Sequence, residues 1–110
     1  RFARLIWANE PISAAELARL ADREQKWKKT TAYTALKRLC EKGIFRNDSG
    51  LVTSVLSFSE YQSRQSRRFL EDNCGGSLPV FLAAFTKKGD LSREDLAEIR
   101  RMLDDYEREV

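Results

Sequence analysis

The chain has 110 residues, 42% of them apolar and 34% charged, with a formal net charge of +3. That length suits one domain, or a small domain with an appendage, and the apolar share suffices for a core and excludes global disorder. With no histidine and two cysteines, Cys40 and Cys74, outside any CxxC pair, the chain lacks the usual zinc ligand sets and every His-based catalytic arrangement.

No apolar run approaches the ~18 to 20 residues that span a bilayer, and no signal peptide is visible, so no membrane insertion is expected. The cysteines read as small packed apolar groups, and a reducing, cytoplasmic compartment fits them. The chain starts at Arg1 without Met, so a few preceding residues, part of the first helix among them, are expected.

The elements follow in order. Residues 2 to 8, FARLIWA, read as the end of a helix that Pro11 closes. Ser13 starts a second helix, with Glu16 at capping-box spacing. Residues 23 to 29, REQKWKK, form a connection in which Trp27 is a core anchor. A third helix, TTAYTALKRLCEK, is capped by Thr30 or Thr31 and stopped by Gly43. Ala32, Ala35, Leu36, Leu39 and Cys40 face inward at helical spacing. Two β-prone runs, Ile44 to Arg46 and Leu51 to Phe58, flank the turn sequence Asn47-Asp48-Ser49-Gly50 and predict a hairpin. Ser59, with Gln62, starts a fourth helix that Gly75-Gly76 ends. Ser77 caps a fifth, which Gly89 ends, and Ser92 with Asp95 starts a sixth. The fold class is mainly α: a winged helix-turn-helix over 1–58, built from three helices plus a β-hairpin wing, then a three-helix dimerisation region over 59–110.

Charge is unevenly spread. Residues 1 to 18 are neutral overall, residues 19 to 46 carry net +6, and residues 47 to 110 carry net −3. The positive segment coincides with the third helix and the turn before it, the footprint of a DNA-contacting surface. Lys28 and Lys29 precede the helix and suit phosphate. Thr30 and Thr31 can donate hydroxyl hydrogen bonds to phosphate at the positive helix end. Tyr33 and Thr34 suit base edges, where a methyl or ring edge meets a thymine methyl. Lys37 reaches phosphate or a guanine edge. Arg38 either pairs with Glu41 or reaches the DNA backbone, and Arg46 sits at the wing base.

The segment 78 to 85, LPVFLAAF, is apolar all round and calls for burial on every side. The last helix repeats Leu96, Ile99, Leu103, Tyr106 and Val110 at heptad-like steps. Three short helices cannot cover Leu78, Val80, Phe81, Leu82 and Phe85 within one subunit. A second copy completes the core, through Phe69, those five residues, Leu96, Ile99, Leu103 and Tyr106, about a two-fold axis. A homodimer would read an inverted-repeat operator in double-stranded DNA. The alternative is a winged-helix interaction module whose basic patch meets an acidic protein. No catalytic constellation, metal site or cofactor site is expected.

The chain resembles the penicillinase-repressor (BlaI/MecI) family of bacterial regulators. The likeness is carried by Trp7, the run PISAAEL at 11–17, the block WKKTTAYTALKRLCEKGIF at 27–45, Ser59-Glu60-Tyr61, Gly75-Gly76-Ser77 and Leu91-Ser92. The resemblance implies a homodimeric winged-helix repressor of antibiotic-resistance genes, β-lactam resistance among them. It also implies a regulatory partner, a membrane sensor or protease that leads to cleavage in the dimerisation region. The family's scissile Asn–Phe bond falls on Ala84-Phe85, where the Asn is absent. The copper-responsive branch has a Cys-rich C-terminal motif that this chain lacks. The family's wing commonly carries Gly-Arg and aromatic residues, whereas Gly50 is followed here by Leu51-Val52-Thr53, so weaker wing contacts to phosphate are expected.

Overall fold

The computed structural model describes residues 1–110. In chain order it contains α1 (Phe2–Asn9), β1 (Ile12–Ser13), α2 (Ala14–Gln25), α3 (Lys29–Glu41), β2 (Phe45–Asp48), β3 (Leu51–Ser54), α4 (Phe58–Cys74), α5 (Leu78–Phe85), a 3-10 turn (Thr86–Lys88) and α6 (Arg93–Glu109). The architecture is a mainly helical winged helix with a small antiparallel sheet of order β1-β3-β2. Two compact units divide it, Arg1–Ser66 and Arg67–Val110, and the boundary falls inside α4.

In the first unit, α1, α2 and α3 bury one face each against the sheet. Ile6, Leu17, Phe45 and Val52 are the largest fully enclosed side chains. Alanines at 14, 18, 21 and 32 complete the core, and such short side chains let α2 and α3 approach closely. Ser13 begins α2 by accepting the Glu16 N–H at 3.0 Å. The Glu16 carboxylate does not close the box but pairs with Arg19, which holds its pKa below the ordinary carboxylate value.

Four local expectations are corrected. The sheet has a third strand, β1, which pairs Ile12 with Val52 and Ser13 with Leu51. Two residues are too few to show alternation, so only the partner strand defines them. The hairpin is also tighter than expected: β2 runs through Asp48, which pairs with Leu51. Only Ser49 and Gly50 turn, at φ 52 and 91. Positive φ at both positions is the type I′ geometry whose twist matches the strands, and Asn47 Oδ1 supports it by accepting the Gly50 N–H at 2.9 Å. Strand β3 correspondingly ends at Ser54 rather than Phe58.

The third correction concerns α4, which is capped by Ser57 rather than Ser59. Ser57 Oγ accepts the Glu60 N–H at 3.0 Å, and Glu60 Oε1 accepts the Ser57 N–H at 2.8 Å. This reciprocal box outcompetes a Ser59–Gln62 cap because it satisfies two end donors at once. Fourth, neither Thr30 nor Thr31 caps α3. The cap position falls on Lys28, and no side chain accepts there.

In the second unit no residue is buried. Ser77 caps α5 by accepting the Val80 N–H at 3.1 Å, and Ser92 caps α6 through the Asp95 N–H at 3.0 Å. Phe69 meets Phe81 edge-on at 5.8 Å between ring centroids, and Phe81 stacks on Phe85 at 5.9 Å. The apolar side chains nonetheless stay open, with Val80 53%, Leu103 54% and Tyr106 69% exposed. No helix is long and apolar enough to cross a membrane.

Candidate nucleic-acid interface

Helix α3 owes its orientation to Ala32 and Leu36, which are 2% and 3% exposed and turn one face into the core. At 100° per residue, the opposite face carries Thr30, Thr34, Lys37 and Arg38, with Tyr33 on its flank. All five are exposed, as is Thr31. Arg38 makes no ion pair with Glu41, because the only ion pairs are Arg19–Glu16 and Arg108–Asp105. Its guanidinium is therefore available to another anion. Lys29 Nζ lies 6.0 Å from the Tyr33 ring centroid, the outer limit of a cation–π contact, which leaves the ammonium in solvent.

The start of α3 is electropositive for two reasons. With no side-chain cap, its first N–H groups keep their unfilled donor capacity. Lys28 and Lys29 stand there, both exposed, and rim a cleft together with Arg19 and Asp22 of α2. Thr30 and Thr31, spared from capping, keep their hydroxyls free to donate outward. Backbone donors, ammonium groups and hydroxyls converging at a helix start suit a phosphate.

Further along, an open groove runs beside α3. Phe2, Trp27 and Leu39 line it, with Thr34 and Arg38 on one side and Arg1 also at its edge. Arg1 is thus a basic residue on the α3 side that sequence reasoning missed. Arg38 lies 37 positions further along the chain, so no local pattern signals the pairing.

The wing is poor in charge. Arg46 stands opposite Thr53 and Asp48 opposite Leu51, and these are the only charged residues of the two strands. Leu51 and Val55 are each 48% exposed. Arg46 is solvent-exposed and unpaired, so it alone can bring positive charge from the hairpin.

The profile of the family described as "Penicillinase repressor" matches residues 1–105. The chain belongs to the penicillinase repressor family. Among its relatives is the methicillin resistance regulatory protein MecI of Staphylococcus aureus (strain Mu50 / ATCC 700699), 24% identical over 106 residues, which is 93% of this chain and 86% of that protein. The proteins of the same name from Mammaliicoccus sciuri and Staphylococcus epidermidis are 24% identical over 103 residues, 90% of this chain and 84% of theirs. The match to residues 1–105 takes in the first unit and most of the second.

No three His, Cys, Asp or Glu side chains come together in a way that could hold a metal ion. Burial, reinforced by neighbouring Glu41, pushes the Cys40 thiol above its ordinary pKa.

Proposed function

We propose that the chain is a sequence-specific DNA-binding repressor that acts in the cytoplasm as a homodimer on an inverted-repeat operator. The observation that carries this reading is the exposed face of α3: an uncapped helix start with Lys28 and Lys29, followed by Thr30, Thr31, Tyr33, Thr34, Lys37 and Arg38 with no internal ion pair. Lys28, Lys29, Thr30, Thr31, Arg38 and Arg46 contact phosphate, which positions the helix. Tyr33 and Thr34 read base edges, and Lys37 reaches phosphate or a guanine edge.

Residues 59–110 form the dimerisation part. Its unburied surface, from Phe69 through α5 to Leu96, Ile99, Leu103 and Tyr106, fits a second copy about a two-fold axis. Two linked modules gain affinity from effective concentration, which one weakly held half-site lacks. The relatives are named as methicillin resistance regulators. That supports resistance genes as the regulon, with a sensor or protease as the regulatory partner.

The test is selection from a random duplex pool with the full chain at about 0.15 M salt, close to physiological ionic strength. A two-fold symmetric motif with fixed half-site spacing is the expected result. Recovery without any motif would sink sequence-specific recognition and point to an acidic protein as the ligand of the basic face.

A further inference from the structure

The groove beside α3 combines features that phosphate contact alone does not require. It spans about 860 Å³, within the range of small-molecule sites, and lies wholly inside the first unit. Its floor is aromatic, because Phe2 and Trp27 both line it and stack with ring centroids 5.1 Å apart. Leu39 and Tyr61, the latter from the first turn of α4, extend the apolar lining. Phe2 is buried, whereas Trp27, Leu39 and Tyr61 are half-buried, so the groove keeps apolar surface in water.

The α3 wall of the groove is cationic. Thr31, Ala35, Arg38 and Lys42 line it at steps of four, three and four residues, which is one face of a helix. Tyr33 and Lys37 stand on the other flank of α3 and do not line the groove. Arg38, Lys42 and Arg1 are its charged residues, and no carboxylate lines it. None of these cations is in an ion pair, since both ion pairs of the chain lie elsewhere. A flat ring can stack against the indole or phenol. A carboxylate can accept two parallel N–H bonds from a guanidinium. One molecule that carries both groups satisfies floor and wall together, whereas a DNA phosphate satisfies only the wall.

We propose that this groove binds a flat aromatic carboxylate, and that the bound ligand takes Arg38 from DNA phosphate and so releases the chain from DNA. The release rests on the DNA-binding reading above, and the binding of the ligand does not. Arg38 pairs with the carboxylate, Lys42 and Arg1 add positive charge at the rim, and the Phe2–Trp27 pair receives the ring. Ligand and phosphate then compete for one guanidinium, so each weakens the other.

The test titrates naphthoate, a flat aromatic carboxylate, and its neutral amide into the full chain by calorimetry without DNA. Naphthoate should bind with a Kd below about 1 mM, and the amide at least about fivefold more weakly. Arg38→Gln should weaken naphthoate at least about fivefold and leave the amide within about twofold. Ala35→Phe, which fills the groove from α3, should weaken both, so either variant alone suffices if the other loses its helical spectrum. No naphthoate binding below about 1 mM, or equal binding of acid and amide, would overturn the proposal. So would wild-type binding by both variants, which places the ligand on the open apolar surface of the second unit. A duplex carrying a single half-site is then titrated at fixed ionic strength, with naphthoate at about ten times its Kd. Half-site affinity should fall at least about fivefold, and the half-site should weaken naphthoate by the same factor. Unchanged half-site affinity would overturn release by the ligand. A chain that binds no duplex even without naphthoate instead refutes the DNA-binding reading, and the calorimetry stands apart from that outcome.

Discussion

Phe2 and Trp27 stack with ring centroids 5.1 Å apart and planes 25° from parallel, so the first helix holds the turn from which α3 departs. Phe2 is buried, and Trp27 is half-buried with its other edge toward the α2–α3 cleft. Removing Phe2 leaves a cavity under the indole. Phe2→Ala should cost about 3 kcal/mol, the lower end for a buried aromatic, and Trp27→Ala about 2 kcal/mol because part of that ring is already in water. Urea unfolding followed by circular dichroism measures both. Equal, near-zero losses would mean that the stack does not anchor α3.

The exposed face of α3 places two kinds of side chain at different positions. Lys28 and Lys29 sit at the helix start, and Tyr33 and Thr34 lie one turn along it. Lys28→Ala should weaken binding to operator and random duplex alike and reduce the salt slope of the dimer by about 2, since one fewer phosphate per subunit is neutralised. Tyr33→Ala or Thr34→Ala should instead cut discrimination, by about 1–3 kcal/mol at the base pair concerned. Competition titrations at several salt concentrations distinguish the two patterns. Equal loss on operator and random DNA for Tyr33→Ala would remove its base-reading role.

The sequence makes the helices legible where a hydroxyl precedes a helical N–H by three residues and nothing nearby competes. Ser13, Ser77 and Ser92 all cap as expected, and Ala32 and Leu36 turn inward as their spacing requires. Ser59 misleads because Ser57 stands two residues earlier with Glu60 in reach, and a carboxylate is the stronger reciprocal acceptor. Thr30 and Thr31 mislead because the preceding turn already brings Lys28 to the cap position. Strand β1 and the approach of Arg1 to the α3 groove are invisible for a different reason. Both exist only through pairing with residues far along the chain, and periodicity carries no such information. The likeness of the chain to its family supplies the order of the elements but not the corner around Trp7, whose ring meets Phe45, Phe58 and Tyr61, four rings brought together from three separate segments.

The wing turn offers a stabilising change. Ser49 holds φ 52 without being glycine or asparagine, a left-handed conformation that side chains resist. Ser49→Asn should raise stability by about 0.5 kcal/mol, since asparagine tolerates this region better. Gly50 at φ 91 has open space around it, so Gly50→Ala should be destabilising through backbone strain rather than through collision, by about 1 kcal/mol. Thermal melts of the two variants should move in opposite directions, and a shift in the same direction would argue against a type I′ turn.

Cys40 gives a pH signature. Burial, then Glu41, disfavours its thiolate, so in the folded chain it loses its proton above the ordinary thiol value. The unfolded chain ionises first. Below the unfolded value both states are protonated and stability is unaffected, and as pH rises past that value the unfolded state is favoured by its lower proton content, until the folded pKa is reached. Alkylation of Cys40 by iodoacetamide, resolved by peptide mass spectrometry, should be slow near neutrality and rise only above the usual thiol range. Rapid labelling of the native protein at pH 7 would contradict its burial.

The unburied apolar surface of the second unit makes the strongest demand on a partner. Val80 and Leu103 are more than half exposed and touch no core of their own chain, so charging them should leave each subunit's helices intact. Burying such a side chain contributes about 1.5–3 kcal/mol, and a two-fold interface counts each substitution twice. Leu103→Glu or Val80→Glu should therefore weaken self-association by roughly 3–6 kcal/mol, or two to four decades in Kd. Sedimentation equilibrium over a range of protein concentrations reads this directly, with circular dichroism to confirm retained helix. Wild type should sediment as a dimer and the variants as monomers with matching spectra. The same variants should keep single half-site binding and lose the inverted repeat's advantage, because the second module is no longer tethered. Wild type that remains a monomer at high concentration would leave α5 and α6 without the cover their composition requires and would refute the homodimer.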